Sequence, residues 1–167
     1  MSEKISIIVP IYNERENLDP FLEALRKALD PTGEEYEVLL IDDGSTDGSG
    51  AYMESLPDKD ARIKIIQFRR NFGQTAAMGA GLHAARGEII VTLDADLQND
   101  PADIPLLLRK MEEGADVVSG WRKDRKDPFI NRRLPSIAAN ALISRITGVR
   151  LHDYGCTLKA YRKEVMK

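Results

Sequence analysis

Asp94-Ala95-Asp96, followed by Leu97-Gln98, closes the apolar run Glu88 to Leu93 (EIIVTL). Two carboxylates one residue apart at the mouth of a buried strand repel each other unless a cation sits between them. A divalent ion held by one or two carboxylates completes its shell with water and substrate phosphates. The spacing therefore points to a metal site for a diphosphate. The same residues could form a solvated turn that opens a helix, with Asp96 or Asp100 as its cap. Spacing alone does not choose between the two.

A second charged feature lies further on. Arg122, Lys123, Arg125, Lys126, Arg132 and Arg133 against Asp124 and Asp127 give this segment a net +4, which leaves −7 on the rest of a chain whose total is −3. A basic loop on an acidic body suits an anion or a membrane surface, although a solvated loop has the same composition. The chain's 167 residues, 43% hydrophobic and 31% charged, suffice for one domain with its own core. Cys156 is the single cysteine, which excludes an internal disulfide and is expected of a reducing compartment. No apolar stretch has the length of a spanning helix, and the opening residues do not read as a signal peptide.

These residues need elements to position them. Ile5 to Ile11, Tyr36 to Asp42, Arg62 to Phe68, Glu88 to Leu93 and Ala115 to Trp121 read as strands. Leu18, Phe21, Leu22, Leu25 and Leu29 share a helical face, and Thr75 to Ala85, Ile104 to Met111 and Ile137 to Ile146 read as further helices. Pro20 predicts a first helix that starts near Asn17, and Pro101 suits a first turn. The alternation predicts an α/β domain, a Rossmann-like three-layer sandwich with a mostly parallel central sheet.

Such sheets bind ligands beyond the carboxyl ends of their strands. Pro10, Tyr12, Asn13 and Glu14 follow the first strand; Asp42, Asp43 and Gly44 end the second; Arg69, Arg70 and Asn71 follow the third. Asp94, Asp96 and Gln98 follow the fourth, and Trp121, Arg122 and the basic loop follow the fifth. All five sets should converge on one edge. Asp42 and Asp43 point opposite ways in an extended chain, so one of the pair is expected to face a ligand. Asp47 is expected as a cap, and His83, His152 and Cys156 have no partners at zinc or nucleophile spacing. Trp121 is expected to pack at a strand end.

IVPIYNERENL, LLIDDGSTDGS, RNFGQTAAMGAGLHAARGEII, TLDADLQNDP and HDYGCTLKAYRK resemble, in order and over nearly the whole chain, the family 2 glycosyltransferases of GT-A fold. More narrowly they resemble the polyprenyl-phosphate glycosyltransferases, a group that includes dolichyl-phosphate mannose synthase and undecaprenyl-phosphate sugar transferases. DADLQN and DYGCTLKAYRK look closest to members that transfer 4-deoxy-4-formamido-L-arabinose, and glucosyl transferases share most of those residues. The resemblance implies an inverting transfer from a nucleotide-sugar, UDP-linked, to a polyprenyl phosphate, with Mg2+ or Mn2+ as cofactor. A soluble or polysaccharide acceptor, or a nucleotide-binding fragment without activity, is the alternative.

By the same resemblance Pro10, Tyr12, Glu14, Asp42 and Asp43 belong to the donor pocket, with Asp43 the better placed of its pair for the base. Asp94 contacts the ribose and diphosphate side and, with Asp96 and Gln98, makes the metal set. Arg122, Arg132 and Ser136 receive the acceptor phosphate, and Asp153 lies beside the sugar. Asp96, Arg122 and Asp153 form the catalytic group. A phosphate monoester is largely dianionic at pH 7, so it needs cations to hold it more than a base to activate it. Asp153 is then a sugar-binding or arginine-orienting residue, or else a general base.

Residues 1–167 are expected to be one GT-A catalytic domain, short of the membrane-anchoring part with which the family continues. The chain is expected to be soluble and cytoplasmic as it stands, and the full-length protein to sit at the cytoplasmic face of the cell membrane. Its expected partners are donor, lipid acceptor and membrane surface, with no nucleic acid. Apolar surface left by the missing part would favour a homo-oligomer.

Overall fold

The computed structural model describes residues 4–121 and 156–166. Six strands form one sheet: β1 (Ile5–Ile11), β2 (Tyr36–Asp42), β3 (Ile63–Gln67), β4 (Ile89–Thr92), β5 (Val117–Ser119) and β6 (Lys159–Arg162), in the order β3-β2-β1-β4-β6-β5. β1 pairs in parallel with β2 and β4, and β2 with β3. β6 runs antiparallel to both β4 and β5, so β5 again points the way β4 does. The sheet is thus mostly parallel, with α1 (Arg15–Leu29), α2 (Ser49–Glu54), α3 (Gln74–Ala84) and α4 (Ile104–Glu112) between strands.

The two faces of the central strands are buried by different helices, the condition under which parallel strands become continuous apolar runs. Ile7, Val9, Ile11, Leu40 and Val91 pack with Leu18, Phe21, Leu22 and Leu25 of α1 and Leu107, Leu108 and Met111 of α4. Ile8, Leu39, Ile41 and Ile90 face α3. α3 lies so close that a Cβ on Gly81 would come within 2.4 Å of Ile8 Cγ2 and 2.9 Å of Ile41 Cδ1. That explains a helix built from small residues.

Three elements differ from the sequence-based expectation. α1 begins at Arg15, ahead of the predicted Asn17, and carries Pro20 inside it. Its first amides are satisfied from the neighbouring loop: Ser49 Oγ accepts from Glu14 N at 3.1 Å and Asp47 Oδ2 from Arg15 N at 2.9 Å. Asn17 bonds Glu14 Oε2 through its side chain at 2.6 Å rather than capping the helix. β6 lies within a stretch that carried no strand expectation, because its four residues are extended by pairing on both sides rather than by composition. A 3-10 turn at Lys163–Met166 stands where the sequence, from Lys163 to Lys167, reads as the first residues of a helix. The predicted helix at Ile137 to Ile146 lies outside the described residues. Among the described residues no helix is long and apolar enough to cross a membrane.

Candidate active site

The carboxyl ends of β1, β2 and β4 open into a cleft of about 270 Å³. Pro10, Ile11, Tyr12 and Glu14 line it from β1 and the loop behind it, Asp43 from the end of β2, and Asp94, Ala95 and Asp96 from the end of β4. Asn71, Gly73 and Gln74 complete the wall from the turn between β3 and α3. Another cleft of about 270 Å³ lies at the opposite edge of the sheet. There Lys4 pairs with Glu34 at 2.8 Å and with Glu112 at 3.8 Å.

The loops after β1 and β2 are joined as one unit. Asn13, whose φ of 57° is left-handed, accepts from Thr46 N at 2.8 Å through Oδ1 and donates its own amide to Ser45 Oγ at 3.0 Å. Asparagine tolerates that conformation better than most residues. Asp47 accepts from Arg15 N and, through Oδ1, from Ser49 N and Ser49 Oγ at 2.9 and 2.6 Å, which makes it a shared cap for α1 and α2. Burial acts to raise the Asp47 pKa, but these hydrogen bonds outweigh it and hold the group below the usual carboxylate value. Tyr12 is thereby presented at the cleft wall with 48% of its surface exposed.

The paired aspartates of β2 separate as strand alternation requires. Asp42 turns away from the cleft and accepts Ser45 N at 2.9 Å; a Cβ on Gly50 would lie 2.5 Å from its Oδ2. Asp43 lines the cleft and is buried at 3% exposure. Its Oδ1 accepts Phe72 N at 2.7 Å and its Oδ2 accepts Gly73 N at 2.9 Å. Each oxygen retains a lone pair for a further donor.

Asp94 and Asp96 both reach the cleft, from the bend that follows β4. Gln74 Nε2 donates to Asp94 Oδ1 at 2.8 Å. Asp96 Oδ1 accepts Gln98 N at 3.0 Å across a turn in which Leu97 takes a φ of 58°. Gln98 therefore supports Asp96 through its backbone, and its side chain is not among the residues that line the cleft. Asp100 accepts Ala102 N at 2.9 Å, so the cap of the following 3-10 turn is Asp100 and Asp96 is left to the cleft.

Arg69 and Arg70 stay outside the cleft, and the Arg70 guanidinium lies 4.9 Å from the Phe72 ring centroid. Trp121 follows β5 and is 55% exposed. Cys156 is buried, with its thiol donating to Asn99 Oδ1 at 3.2 Å, and Asn99 Nδ2 donates to Thr157 Oγ1 at 2.9 Å. Arg122, Arg132, Ser136 and Asp153 lie outside the described residues. Residues that sequence reasoning passed over are Gln74, Gly73 and Asn99. Only their place in RNFGQT and DLQND marked them, since each finds its partner on a distant part of the chain.

The cleft, with its DxD pair and the Tyr12 ring, thus occupies the carboxyl edge of the parallel strands, where open α/β sheets bind ligands. Residues 6–167 match the model of glycosyl transferase family 2. The chain belongs to that family. It is 46% identical over 168 residues to dodecaprenyl-phosphate galacturonate synthase of Rhizobium johnstonii, covering 99% of this chain and 50% of that protein. It is also 46% identical over 164 residues to undecaprenyl-phosphate 4-deoxy-4-formamido-L-arabinose transferase of Shewanella sediminis, covering 98% of this chain and 49% of the relative. The chain thus spans about half the length of these relatives.

Among solved structures, the mannosyltransferase PcManGT of Pyrobaculum calidifontis, in complex with GDP-Man and Mn2+, superposes with a TM-score of 0.71 at 20% identity, covering 99% of this chain and 46% of that one. Glucosyl-3-phosphoglycerate synthase of Mycobacterium tuberculosis, with Mn2+, UDP and glucosyl-3-phosphoglycerate, gives 0.71 at 19%, covering 98% and 58%. At these identities the likeness concerns the fold, which is GT-A.

Proposed function

We propose that this chain is the donor-binding part of an inverting, metal-dependent glycosyltransferase that moves a sugar from a UDP-linked donor to a polyprenyl phosphate such as undecaprenyl phosphate. The observation that carries this reading is the single cleft in which Asp94 and Asp96 meet Tyr12, Glu14 and Asp43. The polyprenyl phosphates in the names of both relatives at 46% identity support the acceptor.

The donor set suits Mg2+ or Mn2+. Asp94 and Asp96 offer hard carboxylate oxygens, and Asp96 Oδ2 has no hydrogen-bond partner among the described residues. A divalent ion held by one or two carboxylates takes water and substrate phosphates as its further ligands, which suits a cleft for a nucleoside diphosphate. When bound, such an ion stabilises as a Lewis acid the charge that builds on the departing nucleoside diphosphate.

The chain's own residues do the rest. Tyr12 and Pro10 give the base an apolar wall, and Asp43 accepts a donor on the base edge. Glu14, tied to Asn17, borders the nucleoside. Asp94 meets the ribose and diphosphate side. Arg122 and Arg132, with Ser136, hold the acceptor phosphate, whose second pKa of about 6 leaves it dianionic without a protein base. A phosphate oxygen attacks the anomeric carbon as the bond to the diphosphate breaks, a single displacement that inverts the centre. Asp153 orients the sugar or an arginine. The full-length protein would work at the cytoplasmic face of the membrane that holds its acceptor.

Incubating the full-length protein with undecaprenyl phosphate, Mn2+ and a panel of UDP- and GDP-sugars tests this reading. One sugar should be transferred to give the lipid-linked glycosyl phosphate with inverted anomeric configuration. Transfer only to soluble acceptors, or retention of configuration, would contradict it. Arg132→Ala in that protein should raise the lipid phosphate needed for half-maximal rate and spare nucleotide affinity. A loss of nucleotide affinity would move Arg132 to the donor side.

A further inference from the structure

The turn between β3 and α3 joins the two halves of the cleft and is fixed from three sides. Asp43 holds it from β2 through the amides of Phe72 and Gly73. Gly44, with a φ of 72°, lets it approach so closely that a Cβ would lie 2.4 Å from the Arg70 carbonyl carbon. On the far side Gln74, the first residue of α3, donates to Asp94 Oδ1 at 2.8 Å. The acceptor is a carboxylate, so the NH2 group of the amide must face it. A neutral amide adds no positive charge at this point of the cleft, whereas Lys or Arg there would compete with a cation for the carboxylate.

We propose that Gln74 is a positioning residue for the diphosphate half of the cleft. It sets the orientation of Asp94 and, through the Asp43-held turn, fixes the diphosphate-contacting side chains relative to the base-contacting ones. The functional part of this inference rests on the donor reading above.

Calorimetry on the 167-residue chain with UDP, GDP, uridine and guanosine, each with and without Mn2+, tests it in Gln74→Ala and Gln74→Met. Methionine keeps the length and removes the donor. Both variants should weaken Mn2+-dependent nucleoside diphosphate binding by roughly 5- to 10-fold, modest for a hydrogen bond to a charged group because Gln74 is exposed. Nucleoside binding should stay within about twofold, since the effect is confined to the diphosphate half. Met at wild-type affinity, or nucleoside binding that falls in parallel, would overturn the proposal. A ligand-free arm stands apart from the donor reading: the Gln74 side-chain amide resonances should shift in Asp94→Asn, and unchanged resonances would overturn it. If the wild-type chain binds neither UDP nor GDP, the donor reading fails by itself and the resonance arm alone decides the position of Gln74.

Discussion

Asp94 and Asp96 look equivalent in the sequence and are held differently in the fold. Asp94 is oriented by the Gln74 amide, and Asp96 is oriented by the Gln98 backbone with its second oxygen directed to no described partner. Asp96→Asn removes charge without removing volume, so nucleotide binding should lose its dependence on Mn2+; unchanged Mn2+ enhancement in titrations would mean that another residue carries the ion. Asp43 is the next test. Asn at that position can accept with one oxygen only, so one of the Phe72 and Gly73 amides loses its partner. Asp43→Asn should cost about 1–3 kcal/mol in denaturant unfolding, because it removes a part-buried hydrogen bond to a charged acceptor. A variant as stable as the wild type would show that the turn does not depend on this clamp.

At the scale of elements, the parallel half of the sheet was legible because apolar runs alternate with amphipathic ones, and the positions of Asp43 and Asp94 at strand ends followed from it. The start of α1 was not, because its amides are capped by Asp47 and Ser49, residues that reach it through the tertiary fold. β6 was missed for a related reason: Lys159–Arg162 is extended by β4 on one side and β5 on the other, and nothing in its four residues announces a strand. Gln74 escaped notice because its partner lies 20 residues away, across the cleft. The small-residue pattern of α3 does have a readable cause, the contact of Gly81 with Ile8 and Ile41. Gly81→Ala should therefore destabilise the protein by about 1–3 kcal/mol despite the better helix propensity of alanine, through overpacking. Thermal unfolding checks this, and a raised Tm would show that α3 can move off the sheet.

For the whole molecule, the two edges of the sheet divide stability from function. At the edge away from the cleft, Arg62 pairs with Asp60 at 2.9 Å and Asp30 at 2.7 Å, and Tyr36 donates to Asp30. The Arg62 side chain leads the causes that hold the Asp60 pKa down at about 2, against the opposing effect of burial. A carboxyl lowered on folding stabilises the native state above its unfolded pKa of about 4, and that contribution is lost as pH falls from there toward 2. Asp60→Asn should cost about 1–2 kcal/mol at pH 7 and progressively less below pH 4, with nucleotide affinity unchanged. A cost independent of pH would assign it to packing instead.

The DxD pair and the Tyr12 wall are proposed here as one metal-dependent nucleotide site. Calorimetric titration of the chain with UDP and with GDP, each with and without Mn2+, tests it most directly. At least one nucleotide should bind saturably and more tightly when Mn2+ is added, and no metal-dependent binding in either titration would contradict such a site.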